Sequence, residues 1–196
     1  MPTFSPRFTP LAACLLLSLA GVAHADPQAT AHAADAVESG VYIGAGVLGA
    51  SLNGSQTGLL GGGLAQLYYE TPHAAIGGDV RVAIGGEDAD GSAFQSLGFS
   101  LASRWFPWAG DFTPFLGAGL VYADIQYDDM GENTYFRGGA AGLGGFAEVG
   151  FAAFRTDSSR LTLSVRADLP FFEVPDDAGG DARYLMPISV AGTFAF

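Results

Sequence analysis

Along most of the chain, apolar and polar side chains alternate one by one. The clearest stretch is SRLTLSVRADL, where Leu161, Leu163, Val165, Ala167 and Leu169 fall on one face and Arg160, Thr162, Ser164, Arg166 and Asp168 on the other. Alternate side chains of a strand point to opposite faces, so a period of two predicts a strand with one apolar and one charged side. FQSLGFSLASRW repeats the arrangement, with Leu97, Phe99, Leu101 and Trp105 opposed to Ser96, Gly98, Ser100, Ala102 and Arg104. In AAIGGDVRVAI, Ile76, Val80, Val82 and Ile84 oppose Asp79 and Arg81, and near the C-terminus Tyr184, Met186, Ile188, Val190, Phe194 and Phe196 oppose Ser189, Ala191 and Thr193. Eight such segments are predicted, at 41–52, 58–70, 74–85, 94–106, 112–127, 139–154, 160–171 and 183–196.

The separators alternate in kind. Those at 71–73, 107–111 and 156–159 are tight, whereas 86–93, 128–138 and 172–182 are long, acidic and glycine-rich. The first connection, 53–57, is short although it belongs to the long set. Tight turns at one end and long loops at the other, joining an even number of strands, predict an all-β, eight-stranded antiparallel up-and-down transmembrane barrel. Segments of ten residues or more fit a tilted crossing of the hydrocarbon layer. Closure lets every backbone N–H and C=O pair without water. Aromatic girdles are expected from Trp105, Phe106, Trp108, Phe112 and Phe115 at the tight-turn side and from Tyr127, Tyr135 and Phe136 at the other. The polar faces are mostly Gly, Ala, Ser and Thr with a few charges, which suits a narrow lumen better than the wet exterior of a soluble sandwich.

Composition changes this picture in two places. The chain opens MPTFSPRFTPLAACLLLSLAGVAHA, with Arg7, an apolar run from Leu11 to Val22 and a small-x-small site at Ala23-His24-Ala25. That is the pattern of a secretory signal peptide over 1–25, followed by a flexible leader at 26–39 and the barrel at 40–196. Leu11-Ala12-Ala13-Cys14 is spelled like a lipoprotein box, but its hydrophobic run follows the cysteine instead of preceding it. Cleavage after Ala25 removes Cys14, the single cysteine, so no disulfide is expected. The second change is charge. The 20 acids against 8 basic residues, all of them Arg, argue against nucleic acid as a partner.

The ending GTFAF resembles the C-terminal aromatic signal of outer-membrane barrels. TPFLGAGLVYADIQY (113–127) resembles the PY-GAG-GY strand of the small OmpA/OmpX/OmpW-like barrel domains, and VYIGAGVLGASL (41–52) resembles their first strand. The resemblance implies insertion into the bacterial outer membrane, contact with its lipid and lipopolysaccharide, and recognition of Phe194 and Phe196 by the barrel-assembly machinery. It implies both termini in the periplasm and no cofactor.

An eight-stranded barrel has a lumen just wide enough for side chains to fill. The inward charges expected are Glu70, Asp79, Asp124, Glu148 and Asp168 with Arg81, Arg104, Arg160 and Arg166. Buried charges persist when paired, so these residues predict an ion-paired plug. Their alternative use is to line an ion pathway. The outer loops carry Glu87, Asp88 and Asp90, then Asp128, Asp129 and Glu132, then Glu173, Asp176, Asp177 and Asp181. Their spacing does not match a calcium-binding EF-hand loop, and no metal site is expected. Catalysis would need a base beside a nucleophile. After residue 25 the chain offers His32 and His73, with no GxSxG motif, so no catalytic site is expected. The sequence thus points to a non-enzymatic surface protein acting through its acidic loops. An OmpW-like narrow channel is the alternative and a lipid-modifying enzyme the third reading.

Overall fold

The computed structural model describes residues 37–52, 60–85, 93–131, 134–177 and 179–196. Eight strands run in chain order: β1 Gly40–Leu52, β2 Leu60–Glu70, β3 Ala74–Ile84, β4 Ala93–Trp105, β5 Thr113–Gly131, β6 Thr134–Ala153, β7 Arg160–Pro170 and β8 Pro187–Ala195. Each pairs antiparallel with its neighbours, and β8 pairs with β1 to close a barrel. Just beyond the strands, Ile43 and Phe196 exchange two backbone hydrogen bonds of 3.1 Å, so the last residue completes the seam. Followed once around from Gly40 through Glu70, Ala75, Arg104, Gly117, Glu148, Arg166 and Ser189, the register returns to β1 at Ala50. That stagger of ten residues tilts the strands, which in closed barrels lie about 35–45° from the axis.

The period of two sets what each face meets. Outward positions of β7 are Leu161, Leu163, Val165 and Leu169, all exposed, while Arg160, Thr162, Ser164 and Arg166 are buried. The same division runs round the barrel, leaving residues such as Val47 (72% exposed), Ile76, Leu101 (72%), Leu116, Leu143 and Val190 on the outside. An apolar surface of this extent is far larger than the few hundred Å² a soluble monomer carries. Its height can be read on β5, where the outward row runs Pro114, Leu116, Ala118, Leu120, Tyr122 and then Asp124. Ten residues at about 3.3 Å each, tilted by about 40°, span about 25 Å along the axis. That matches the apolar band of a transmembrane barrel.

Glycine-rich strands are explained by close backbone approach. A Cβ on Gly46 would lie 2.1 Å from the Gly192 carbonyl oxygen, and one on Gly62 would lie 2.0 Å from that of Val82. On β5, glycines make room inside the lumen. A Cβ on Gly117 would come 3.1 Å from Glu148 Oε2 and 3.4 Å from Arg104 Cγ, and one on Gly119 would come 2.0 Å from the Leu101 carbonyl oxygen and 2.7 Å from the Phe146 ring.

Four expectations are corrected. The acidic stretch 128–138 was expected as a loop, yet β5 and β6 continue through it, with Asp128 opposite Arg137 and Gly131 opposite Thr134. Its charges suggested solvation, but the backbone ladder continues through it, and Arg137 stands across the hairpin from Asp128. The last strand starts at Pro187 and not at 183. Of the expected girdle residues, Phe106, Phe115 and Tyr127 are buried inside, and the outer aromatics at the turn end include Tyr69, Trp105, Trp108, Phe112, Phe151, Phe154, Phe194 and Phe196. The side chains of Tyr135 and Phe136 lie outside the described residues. The fourth correction concerns Asp124, treated with the lumen below.

Candidate functional site

Three layers fill the lumen. In the middle, Glu148 of β6 accepts from Arg104 of β4, Nε to Oε2 at 3.0 Å and Nη2 to Oε1 at 3.2 Å, and from Arg81 Nη2 of β3 at 3.3 Å. Arg81 Nε also donates to Asp79 Oδ1 at 2.8 Å. Arg166 of β7 reaches across the barrel to Asp79, 3.2 Å to each carboxylate oxygen, and donates to Asp168 at 2.6 Å. The side chains of Asp79, Glu148 and Arg166 are each 1% exposed. Neutral donors and acceptors join in, with Arg81 on Ser189, Arg166 on Ser100 and Gln66 on Thr193. Ring faces cover the guanidiniums: Arg104 lies 4.2 Å from the Tyr68 ring centroid, and Arg166 lies 3.6 Å from that of Phe146. Cation–π contacts of this kind strengthen as water is excluded.

The bare GAG stretch of β5 permits this arrangement. Gly117 leaves the gap through which Arg104 and Glu148 meet, and Gly119 leaves the gap that seats Phe146 under Arg166.

At the turn end, Glu70 accepts from Arg155 Nε at 2.9 Å and lies 3.4 Å from Arg160 Nε. Arg160 stacks on Tyr42 of β1 and donates to its hydroxyl, and it also bonds the carbonyls of Phe154, Asp157 and Ser159. Arg155 was not among the expected lumen residues. It belongs to the tight turn after β6, where strand parity would have turned it outward. Phe154 carries a left-handed φ of 62°, which reverses the parity, so Phe154 is exposed and Arg155 is 0% exposed. For a side chain other than glycine that conformation costs about 1–2 kcal/mol. An aromatic followed by Arg in a turn is the signal the sequence offered, and it does not announce itself through alternation.

At the loop end the fill is apolar. Leu48, Leu52, Leu64, Ile125 and Tyr127 cluster with Val174 and Leu185, which come from the segment between β7 and β8. That segment lies along the free end of β6: Phe171 N–H donates to Leu143 O at 3.0 Å, Asp177 N–H to Arg137 O at 2.7 Å, and Val174 and Arg183 exchange two bonds of 2.8 Å.

Of the expected lumen charges, Glu70, Asp79, Arg81, Arg104, Glu148, Arg160, Arg166 and Asp168 are brought together in this way. Asp124 is not. It lies on the outward row of β5 with Leu120 and Tyr122, whereas Ala123 and Ile125 face in. Both faces of that stretch are apolar apart from Asp124, so alternation could not assign it. It is the first outward charge along β5 past the apolar band.

Of the acidic residues at the loop end, Asp128 lies 4.0 Å from Arg137 Nε on the outside of the hairpin. Asp129 is in β5 opposite Phe136. Glu173, Asp177 and Asp181 are exposed and Asp176 is half-buried. Glu87, Asp88, Asp90 and Glu132 lie outside the described residues. His73 is exposed in the turn after β2, its Nδ1 3.4 Å from the Phe106 carbonyl oxygen, and His32 lies outside the described residues.

Solved structures similar to the chain include Neisserial surface protein A, NspA, with a TM-score of 0.53 and 15% identity, over 79% of this chain and 95% of that one. Ail, the attachment invasion locus protein of Yersinia pestis, is similar with a TM-score of 0.52 and 8% identity, over 79% of this chain and 95% of that one. The structure of Ail in complex with the heparin analogue sucrose octasulfate gives a TM-score of 0.52 at 9% identity, over 81% of this chain and 97% of that one. No family model and no curated protein matches the chain. At these identities the likeness establishes the fold: a closed, eight-stranded, all-antiparallel β-barrel of the small outer-membrane type.

Proposed function

We propose that this chain is a non-enzymatic protein of the bacterial outer membrane, closed to ions, that presents an acidic hairpin and cap to the outside as a recognition surface. The observation that carries the proposal is the pairing of buried charges from β3, β4, β6 and β7 across a lumen ringed by an apolar belt. On this reading residues 1–25 are the export signal, the turns and both termini face the periplasm, and Phe194 and Phe196 serve the assembly machinery. β5 and β6 carry their hairpin seven residues past Asp124, about 18 Å along the axis at the same tilt, into the lipopolysaccharide layer. Ail is named for attachment and has been seen with a sulfated polyanion. The acids at this chain's loop end, Asp128, Glu173, Asp177 and Asp181 among them, would repel such a ligand, so a cationic or neutral partner suits the surface better.

The test is conductance of the purified, refolded protein in a planar bilayer. A stably inserted, silent barrel is the expected result. Discrete conductance steps that change when Arg104 or Asp168 is neutralised would overturn the closed reading and favour a narrow channel. Loss of surface binding on neutralising Asp128, Asp129 and Glu132 together would locate recognition on the hairpin.

A further inference from the structure

The turn end of the lumen is closed by residues from three separate turns, and one side chain ties them together. Arg155 donates to the Glu70 carboxylate at the end of β2, to the carbonyls of Thr71 and Pro72 in the next turn at 3.1 Å each, and to that of Trp108, 3.4 Å away in the turn between β4 and β5. Its guanidinium lies 3.8 Å from the Phe106 ring centroid, and its own N–H donates to Asp111 O at 3.2 Å. Thr156 fastens the same junction, donating through N–H and Oγ1 to Asp111 Oδ1. Among the described residues, no ion pair joins the group of Glu70, Arg155 and Arg160 to that of Asp79, Arg81, Arg104, Glu148, Arg166 and Asp168.

We propose that the charged part of the lumen is sealed twice, and that the turn 154–159 is a separate floor for which Arg155 is the lock. The left-handed Phe154 supports this directly. It sends an aromatic side chain outward and spends the next residue, an Arg, on closing the end of the barrel. Five partners are then satisfied at once: one carboxylate, three carbonyls and a ring face. Without the guanidinium, the carboxylate is left with Arg160 alone at 3.4 Å and the carbonyls need water, and water admitted there reaches the space beside Arg160 and Thr162. The middle network is untouched, because it shares no ion-paired residue with the floor. Water entering from the turn end therefore has to pass two separate charged barriers before it meets the apolar fill at the loop end. The inference rests on the closed barrel proposed above.

The experiment is thiol accessibility in detergent on the full chain carrying Cys14→Ser and Thr162→Cys. Thr162 is 6% exposed, faces inward and is the next inward residue after Arg160. With the lock intact, a small cationic methanethiosulfonate should modify Cys at 162 slowly. With Arg155→Ala the rate should rise at least about tenfold, which is the signature of a site moving from buried to hydrated. Arg155→Met keeps the volume and removes the donors, and should do the same. Arg155→Lys, which cannot span all four oxygen partners, should fall between. Leu185→Ala thins the opposite end and should leave the rate unchanged. Folded Arg155 variants, judged by heat-modifiable mobility, that label at the original rate would overturn the proposal. So would rapid labelling with Arg155 in place, or an equal acceleration by Leu185→Ala. A conducting wild-type barrel would sink the closed reading whatever the thiol does. A silent barrel with an unlocked floor would leave that reading intact and support two seals.

Discussion

The apolar belt makes a depth-dependent prediction for charge insertion. Leu120 is 58% exposed, sits on the outward row of β5, and faces Leu101 on β4 and Gly145 on β6. It lies six residues from Pro114 and four from Asp124, close to the middle of the band. Four residues of strand at about 40° tilt are about 10 Å along the axis, so an arginine there lies deep in hydrocarbon. Leu120→Arg should then cost about 2–4 kcal/mol, the range for a cation at the midplane of a membrane barrel. Gln126→Arg, on the same row but beyond Asp124, should cost about 0–1 kcal/mol. If the face met water, both would fall within about 0.5 kcal/mol of zero. The assay is reversible denaturant unfolding from lipid vesicles, followed by fluorescence of Trp105 and Trp108, both exposed at the turn end. Equal costs for the two variants, within about 0.5 kcal/mol, would refute the assignment of this face to lipid.

The same equilibrium measurement checks the lumen. Glu148→Gln leaves Arg81 and Arg104 without their shared carboxylate and should destabilise by about 3–5 kcal/mol, whereas Asp128→Asn, beside a half-exposed Arg137, should cost under about 1 kcal/mol. Gly46→Ala drives a methyl to 2.1 Å from the Gly192 oxygen and should cost about 1–3 kcal/mol, while Gly192→Ala, with nothing within 4 Å of the new atom, should be tolerated. Deleting Phe196 removes both seam bonds to Ile43 and should lower refolding yield in vitro. Phe196→Ala keeps those bonds, so it should refold well and show its defect as reduced outer-membrane abundance in cells.

Most of the barrel was legible because it rests on one periodicity. Where a strand carries a charge on one face and leucines on the other, as β7 does, facing and boundaries both follow from the sequence. Where a strand is apolar on both faces, alternation carries little information. β5 buries Val121, Ala123 and Ile125 and exposes Leu116, Leu120 and Tyr122, so the facing of Asp124 depends on register with β4 and β6. The length of β5 and β6 was hidden for another reason. The acidic residues Asp128 and Asp129 look like a loop, and only pairing across the hairpin makes them strand. Arg155 was hidden by a backbone reversal at Phe154, which no side-chain pattern records. The cap formed by Val174 and Leu185 depends on contacts with residues more than thirty positions away, including Ile125 and Tyr127.

The same comparison explains why a membrane barrel would keep charges in so dry a lumen. With apolar side chains on both faces, a strand shifted by one residue would exchange its inner and outer sets at little cost. In lipid the outer face gives no preference among apolar residues, so the inner face must supply it. β2, β3, β4, β6 and β7 each carry at least one inward charge that is paired in the lumen. Slipping any of them by one residue would put an unpaired charge into hydrocarbon. Among the described side chains, β1, β5 and β8 carry none and are fixed by the neighbours they pair with. Buried ion pairs are weak sources of stability, since their desolvation offsets much of their attraction. Their contribution here is to make one register far better than the next. That is why the cost predicted for Glu148→Gln is mainly the penalty of stranding Arg104 and leaving Arg81 with Asp79 alone, rather than a bond energy lost.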